Sequence, residues 1–245
     1  MTQKHDESFL DNPVWHSLNG PLKRFAQTPK SDRLLTFDPE MSPFSGVEMS
    51  RVGGAEGCWA AIAEDVGLEG FCGLFRDEIP VRPAGWEDHF EGVCLQMVAG
   101  DLAPVLDVAI DALGSKDAGA ALELATLTEP GPFAARTTEL GRFVGVRRNG
   151  RLMAMAGERF RIPGFVEISG VCTHPDARGE GLGAALTLAV ARSIRAGGDE
   201  AFLHVLDDNE NAIRLYRKLG FTVRRKVDVV FAQWHGEEWT PSEEA

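Results

Sequence analysis

A glycine-rich turn set between a strand pattern and an amphipathic helix pattern constrains this chain more than any other feature. It reads Val171-Cys172-Thr173-His174-Pro175-Asp176-Ala177-Arg178-Gly179-Glu180-Gly181-Leu182-Gly183-Ala184. Residues 165–173 lead into it as a strand, and behind it Leu182, Ala185, Leu186, Ala189 and Val190 recur at helical spacing. A strand that passes through glycines into a helix gathers orphan backbone N–H groups and the positive end of the helix dipole at one point. Such a point is a cradle for an anion, a phosphate above all. Gly179-x-Gly181-x-x-Ala184, with Asp199 downstream, also fits the loose dinucleotide fingerprint. That reading fails on context, because a Thr-His-Pro-Asp-Ala loop separates strand from glycines and too little chain follows for further βα units.

The segments around the turn read clearly. Residues 102–113 are expected to form an amphipathic helix ending at Gly114, and residues 118–127 a second one, stopped by Glu129-Pro130-Gly131-Pro132. Strands are expected at 141–146 and 152–156, joined by a hairpin at Asn149-Gly150. Pro163-Gly164 turns the chain into strand 165–173. A helix follows and ends at Gly197-Gly198; then come a buried strand over 201–206 and a helix over 209–219, stopped by Gly220. Residues 221–223 and 227–234 read as two final strands, and 237–245 as a loose polar tail. Ahead of residue 115 only short apolar runs at 34–37, 71–75 and 93–98 and a helix over 55–66 are legible, with nothing that looks catalytic.

The chain has 245 residues, 44% hydrophobic and 25% charged, enough for one large core or two modest ones. Its net charge of −12 argues against nucleic acid, since phosphate neutralisation needs a basic surface. No apolar run approaches the ~20 residues of a membrane helix, and residues 1–8 lack a signal-peptide stretch, so a cytoplasmic setting without membrane contact is expected. Nearly all the acidic excess falls on residues 1–115, which suggests an acidic N-terminal domain at 1–115 and a second unit at 116–245. A solubilising surface accounts for that excess equally well. Cys58, Cys72, Cys94 and Cys172 lie far apart, with no C-x-x-C pair and no histidine at ligand spacing. They read as buried, reduced thiols, and no metal is expected.

Downstream of the glycine turn stands Asn209-Glu210-Asn211-Ala212-Ile213-Arg214-Leu215-Tyr216-Arg217-Lys218-Leu219-Gly220-Phe221. This N-x-x-A-x-x-L-Y-x-x-L-G-F pattern, one helix and one strand after R-G-x-G-x-G, resembles the GNAT superfamily of N-acyltransferases over residues 116–234. The resemblance implies a mixed α/β sheet whose central strands, 165–173 and 201–206, splay apart to admit coenzyme A. Residues 1–115 would then be a smaller α/β domain, either a degenerate copy of the same fold or an unrelated cap. It implies that the backbone of Val171 and Thr173 pairs with the pantetheine arm, and that Arg178, Gly179, Glu180, Gly181, Leu182, Gly183 and Ala184 hold the pyrophosphate. Asn209 matches the asparagine that caps its helix and meets the cofactor arm.

The implied reaction moves an acetyl group from acetyl-CoA to an amine by direct attack in a ternary complex. Tyr216, the only tyrosine, stands where the family places the general acid that protonates the departing thiolate; packing on the apolar helix face is its plain alternative. Glu167 is the candidate base, with the raised pKa of a partly buried carboxylate, and His204 and a water relay are its rivals. Cys172 reads as a core residue rather than a nucleophile. The acidic N-terminal half suggests a cationic acceptor, and a homodimer is compatible with everything above. A non-catalytic acyl-CoA sensor is the alternative from another class.

Overall fold

The strand expected at 165–173 is the hub around which the molecule is arranged. In the computed structural model, which describes residues 5–27 and 32–236, the chain begins with α1 (Pro13–Leu18), β1 (Leu34–Thr36), β2 (Ser45–Val47), α2 (Ala55–Val66), β3 (Phe71–Arg76), β4 (Trp86–Ala99) and β5 (Asp111–Leu113). It continues with α3 (Ala118–Thr128), β6 (Phe143–Arg148), β7 (Arg151–Ile162), β8 (Phe165–Thr173), α4 (Leu182–Ala196), β9 (Glu200–Leu206), α5 (Glu210–Lys218) and β10 (Phe221–Trp234). β1 and β2 form a small ribbon; the remaining strands form one sheet in the order β3-β10-β4-β9-β8-β7-β6-β5. Only β8 and β9 run parallel, so the sheet is mixed. Strands from both sides of residue 115 share it, and β4 lies between β9 and β10.

Alternation along the strands sends side chains to two different cores. On one face Leu203, Val205, Val166 and Ile168 pack with Leu186, Leu188, Val190 and Ile194 of α4 and with Tyr216 of α5. On the other face Phe202 and Phe165 pack with Phe37, Phe44, Phe160 and residues of α1. Full burial of each such side chain contributes about 1.5–3 kcal/mol, so both faces hold the sheet in place. Among the described residues no helix is long and apolar enough to cross a membrane.

Three sequence expectations need correction. No helix forms over 102–113: the backbone is irregular until β5, whose residues pair with β6 through Asp111↔Gly145 and Leu113↔Phe143. Pro104 supplies no N–H, Val105 and Leu106 are exposed while Leu102, Val108 and Ile110 pack against the core from an irregular backbone, and the free edge of β6 offers backbone bonds instead. The two final strands are one, β10, interrupted by a register shift between Val223 and Arg225 against β4. The bulge disturbs the alternation that a sequence reading depends on. The strand expected at 152–156 runs on to Ile162 through two further register shifts. Residues 237–245 lie outside the described residues.

The parallel ladder between β8 and β9 joins only Phe165↔Glu200, Val166↔Ala201 and Glu167↔Phe202. Beyond these the strands separate, with β9 held by β4 and β8 by β7. A buried backbone edge without a partner is costly, so the opened edge of β8 is a place for a ligand to pair.

Candidate active site

The wedge opens onto a cavity of about 520 Å³ whose lining includes Ser169, Gly170 and Val171 of β8, His204 of β9, and Asn209, Ala212 and Tyr216 of the α5 segment. At the end of β8 the chain enters the glycine turn. Gly179 and Gly181 sit at φ +83° and +78°, and a Cβ on either would meet nothing within 4 Å. Their side of the turn is therefore open, and it is the positive φ that favours glycine there. Gly181 caps α4 with no side-chain hydrogen bond to the first-turn N–H groups. Those donors point where an anion would sit, so this segment fits a pyrophosphate.

Charge around the turn suits the same ligand. Arg178 is exposed and forms no ion pair among the described residues, whereas Glu180 is tied to Arg148, 2.9 Å from Nη1 to Oε1. Arg148 thereby offsets a carboxylate that would otherwise repel phosphate. It was not singled out in the sequence, where it reads as one more charge beside the Asn149-Gly150 hairpin. Thr173 flanks the cradle, its Oγ1 lying 3.6 Å from where a Cβ on Gly183 would stand. That contact is ordinary, and Gly183 has no positive φ, so Gly183→Val should fold normally while placing a branched side chain at the cradle. Calorimetry is expected to show coenzyme A affinity reduced at least tenfold with an unchanged melting temperature; unaltered affinity would remove the phosphate assignment.

Asn209 accepts a hydrogen bond from the Ala212 N–H at 3.1 Å, an N-cap, while also lining the cavity. Tyr216 lies edge-on to Phe221 at 6.1 Å and reaches the cavity from the α5 side. Burial pushes its phenol up to about 12, so the group keeps its proton over any ordinary working pH.

Glu167 departs from expectation. Its side chain is fully buried and does not line the cavity. It accepts two hydrogen bonds from Arg159, at 2.7 and 2.8 Å, and a third from His204 Nδ1 at 2.6 Å. Burial alone would raise this carboxyl, but the Arg159 charge, its paired hydrogen bonds and His204 outweigh that and hold it down to about 2. The raised pKa expected for it is thus overturned: the sequence showed the strand but not the arginine opposite. Cys172 sits in a small core with Leu124 and Met155, and burial pushes its thiol up to about 11.

His204 is committed on both nitrogens. Arg224 donates to Gln96 Oε1 at 2.9 Å and Gln96 Nε2 donates to the Leu10 carbonyl at 2.8 Å, which fixes the amide orientation. Gln96 Nε2 then also donates to His204 Nε2 at 3.1 Å, leaving the ring proton on Nδ1 for Glu167. Burial lowers the His204 pKa against the pull of Glu167, so the ring is neutral. Its side chain is only 2% exposed.

The opposite wall of the cavity comes from segments in which the sequence showed no chemistry. Phe44, Phe75, Phe90 and Phe231 line it, together with Arg159 and, from the Glu129-Pro130-Gly131-Pro132 loop, the exposed Glu129. Phe75 stands 4.2 Å from the His204 ring. A charged residue within the buried run of β7 was the one available signal for Arg159.

A sheet split at its one parallel pair, with an uncapped helix start at the mouth of the split, defines the acyl-coenzyme A-dependent N-acyltransferase architecture. Residues 143–230 match the family described as FR47-like protein. The crystal structure of a putative acetyltransferase from the GNAT family of Novosphingobium aromaticivorans is 38% identical, with a TM-score of 0.81, covering 92% of this chain and 98% of that one. A GCN5-related N-acetyltransferase from Kribbella flavida shares the fold at 20% identity and a TM-score of 0.59, covering 93% and 96%. Mycothiol acetyltransferase of Saccharomonospora viridis is 48% identical over 68 residues, 27% of this chain and 22% of that protein, so this chain matches about a fifth of that relative's length. The chain belongs to the GNAT acetyltransferase family.

Proposed function

We propose that the protein transfers an acetyl group from acetyl-CoA to a primary amine by direct attack in the cavity between β8 and β9. The observation that carries this reading is one continuous site in which an uncapped glycine turn, an unpaired strand edge and a protonated tyrosine adjoin an acceptor-sized space. Bound acetyl-CoA supplies the thioester carbon. Arg178 and the turn from Gly179 to Ala184 hold the pyrophosphate, Val171 and Thr173 offer strand-like bonds to the pantetheine arm, and Asn209 meets that arm. Tyr216 gives its proton to the departing sulfur.

Glu167 serves as a positioning residue. A carboxylate held near pKa 2 is a weak base, and both nitrogens of His204 are occupied, so the amine sheds its proton to water in the cavity. The four buried free thiols support a cytoplasmic setting. The test is release of free thiol from acetyl-CoA with a panel of primary amines. Acceptor-dependent release is expected; tight acetyl-CoA binding without turnover on any amine would instead support a sensor.

A further inference from the structure

The acceptor side of the cavity carries more information about its ligand than the overall charge of the chain does. Among the described residues, none of the many acidic side chains before position 115 lines it. The expectation of a cationic acceptor thus has no counterpart in the wall, where Glu129 at the rim is the only carboxylate among the described residues. What the wall does offer is aromatic surface and one guanidinium.

Arg159 spends two of its three nitrogens on Glu167: Nε and Nη2 bind the carboxylate, while Nη1 makes no hydrogen bond among the described residues. Nor is Nη1 among the buried polar atoms left without a partner, so it is open to the cavity that Arg159 lines. The guanidinium carbon stands 4.9 and 4.5 Å from the ring centroids of Phe44 and Phe160, and the paired bonds to Glu167 fix its direction. A ligand that displaces water here must accept from Nη1, because a donor abandoned among phenylalanines costs free energy. A carboxylate does this best, through a charge-assisted bond. The pair Arg159–Glu167 is neutral overall, so a ligand carrying both an ammonium and a carboxylate adds no net charge to the enclosed space.

Resting on the transferase reading above, we propose that the acceptor is a small zwitterionic amine with an aromatic or similarly flat apolar body: an aromatic α-amino acid in chemical class. Its body lies against Phe75, Phe90 and Phe231, and its carboxylate accepts from Nη1 of Arg159.

The test compares kcat/KM for phenylalanine, phenylalanine amide, phenethylamine, glycine and spermidine. Phenylalanine is expected to be best. Phenethylamine should fall by about tenfold or more through loss of the charge-assisted bond, the amide should lie between, and glycine and spermidine should rank below all three. Phe90→Ala, at a partly exposed position, should reduce kcat/KM for phenylalanine severalfold while leaving coenzyme A affinity unchanged. A preference for spermidine or phenethylamine over phenylalanine, or an indifferent Phe90→Ala variant, overturns the proposal. Calorimetry on the coenzyme A-loaded protein separates the two layers of inference. Phenylalanine that binds but is not acetylated counts against the transferase reading alone, whereas phenylalanine that does not bind overturns the acceptor assignment.

Discussion

Tyr216→Phe is expected to lower kcat by roughly 10²-fold, the low end of what a general acid contributes, with coenzyme A affinity and melting temperature close to those of the parent. The substitution keeps the ring that packs with Phe221 and deletes only the hydroxyl. The effect is bounded because a thiol departs with a pKa near 8.5, by analogy with cysteine, so protonation helps the leaving group without being indispensable. Burial has pushed the phenol up to about 12, which means the parent enzyme should show no loss of activity from tyrosine ionisation up to about pH 10. Tyr216→Ala, by contrast, empties a core position and should cost about 3–5 kcal/mol of stability. A phenylalanine variant with full kcat would reduce Tyr216 to a packing residue.

Glu167→Ala should destabilise the fold by about 3–5 kcal/mol, because it leaves the Arg159 charge buried without its partner. The double variant Arg159→Met/Glu167→Leu should recover part of that loss, since two apolar side chains replace a pair whose desolvation nearly offsets its attraction while the His204 Nδ1–H is left without its acceptor. Urea denaturation of both variants measures the difference, and equal stabilities would mean that the pair is not buried as described. The acid response follows from the same geometry. Glu167 is depressed to about 2 from an unfolded value near 4.3, so its contribution is complete above pH ~4.3 and is lost as pH falls through about 2. His204, lowered by burial, acts in the same direction at higher pH: below about 6.5 the unfolded chain takes up a proton that the folded ring resists. Stability should therefore begin to decline below about pH 6.5 and fall further on approach to pH 2.

Much of the proposed coenzyme A side was legible because it is written locally. The glycine turn, the N-cap at Asn209 and the periodicity of α4 and α5 each depend on neighbours a few residues away, and the structure places all of them as expected. The proposed acceptor side was not legible, because it depends on pairing across the whole chain. Gln96 of β4, His204 of β9 and Arg224 at the β10 bulge meet only after the sheet has formed, and no spacing rule connects them. Arg159 could be noticed as a charge inside an apolar strand, but its partner Glu167 faces it across a hairpin with two register shifts, which hides the pairing from simple alternation. The helix wrongly expected at 102–113 shows the opposite failure. There a plausible local pattern lost to an edge strand and a proline.

The placement of β4 between β9 and β10 also has a consequence for how the protein is made. A ribosome finishes β4 long before β9 and β10 exist, and at about 5–20 residues per second the wait is on the order of ten seconds. During that interval the apolar stretch from Val93 to Val98 has neither lateral neighbour. Pairing it demands closure of long chain segments, the slow kind of contact. A nascent chain of this design leaves β4 unpaired until β10 emerges, so its yield in cells should respond to chaperone supply and to the speed of translation more than its final stability would suggest.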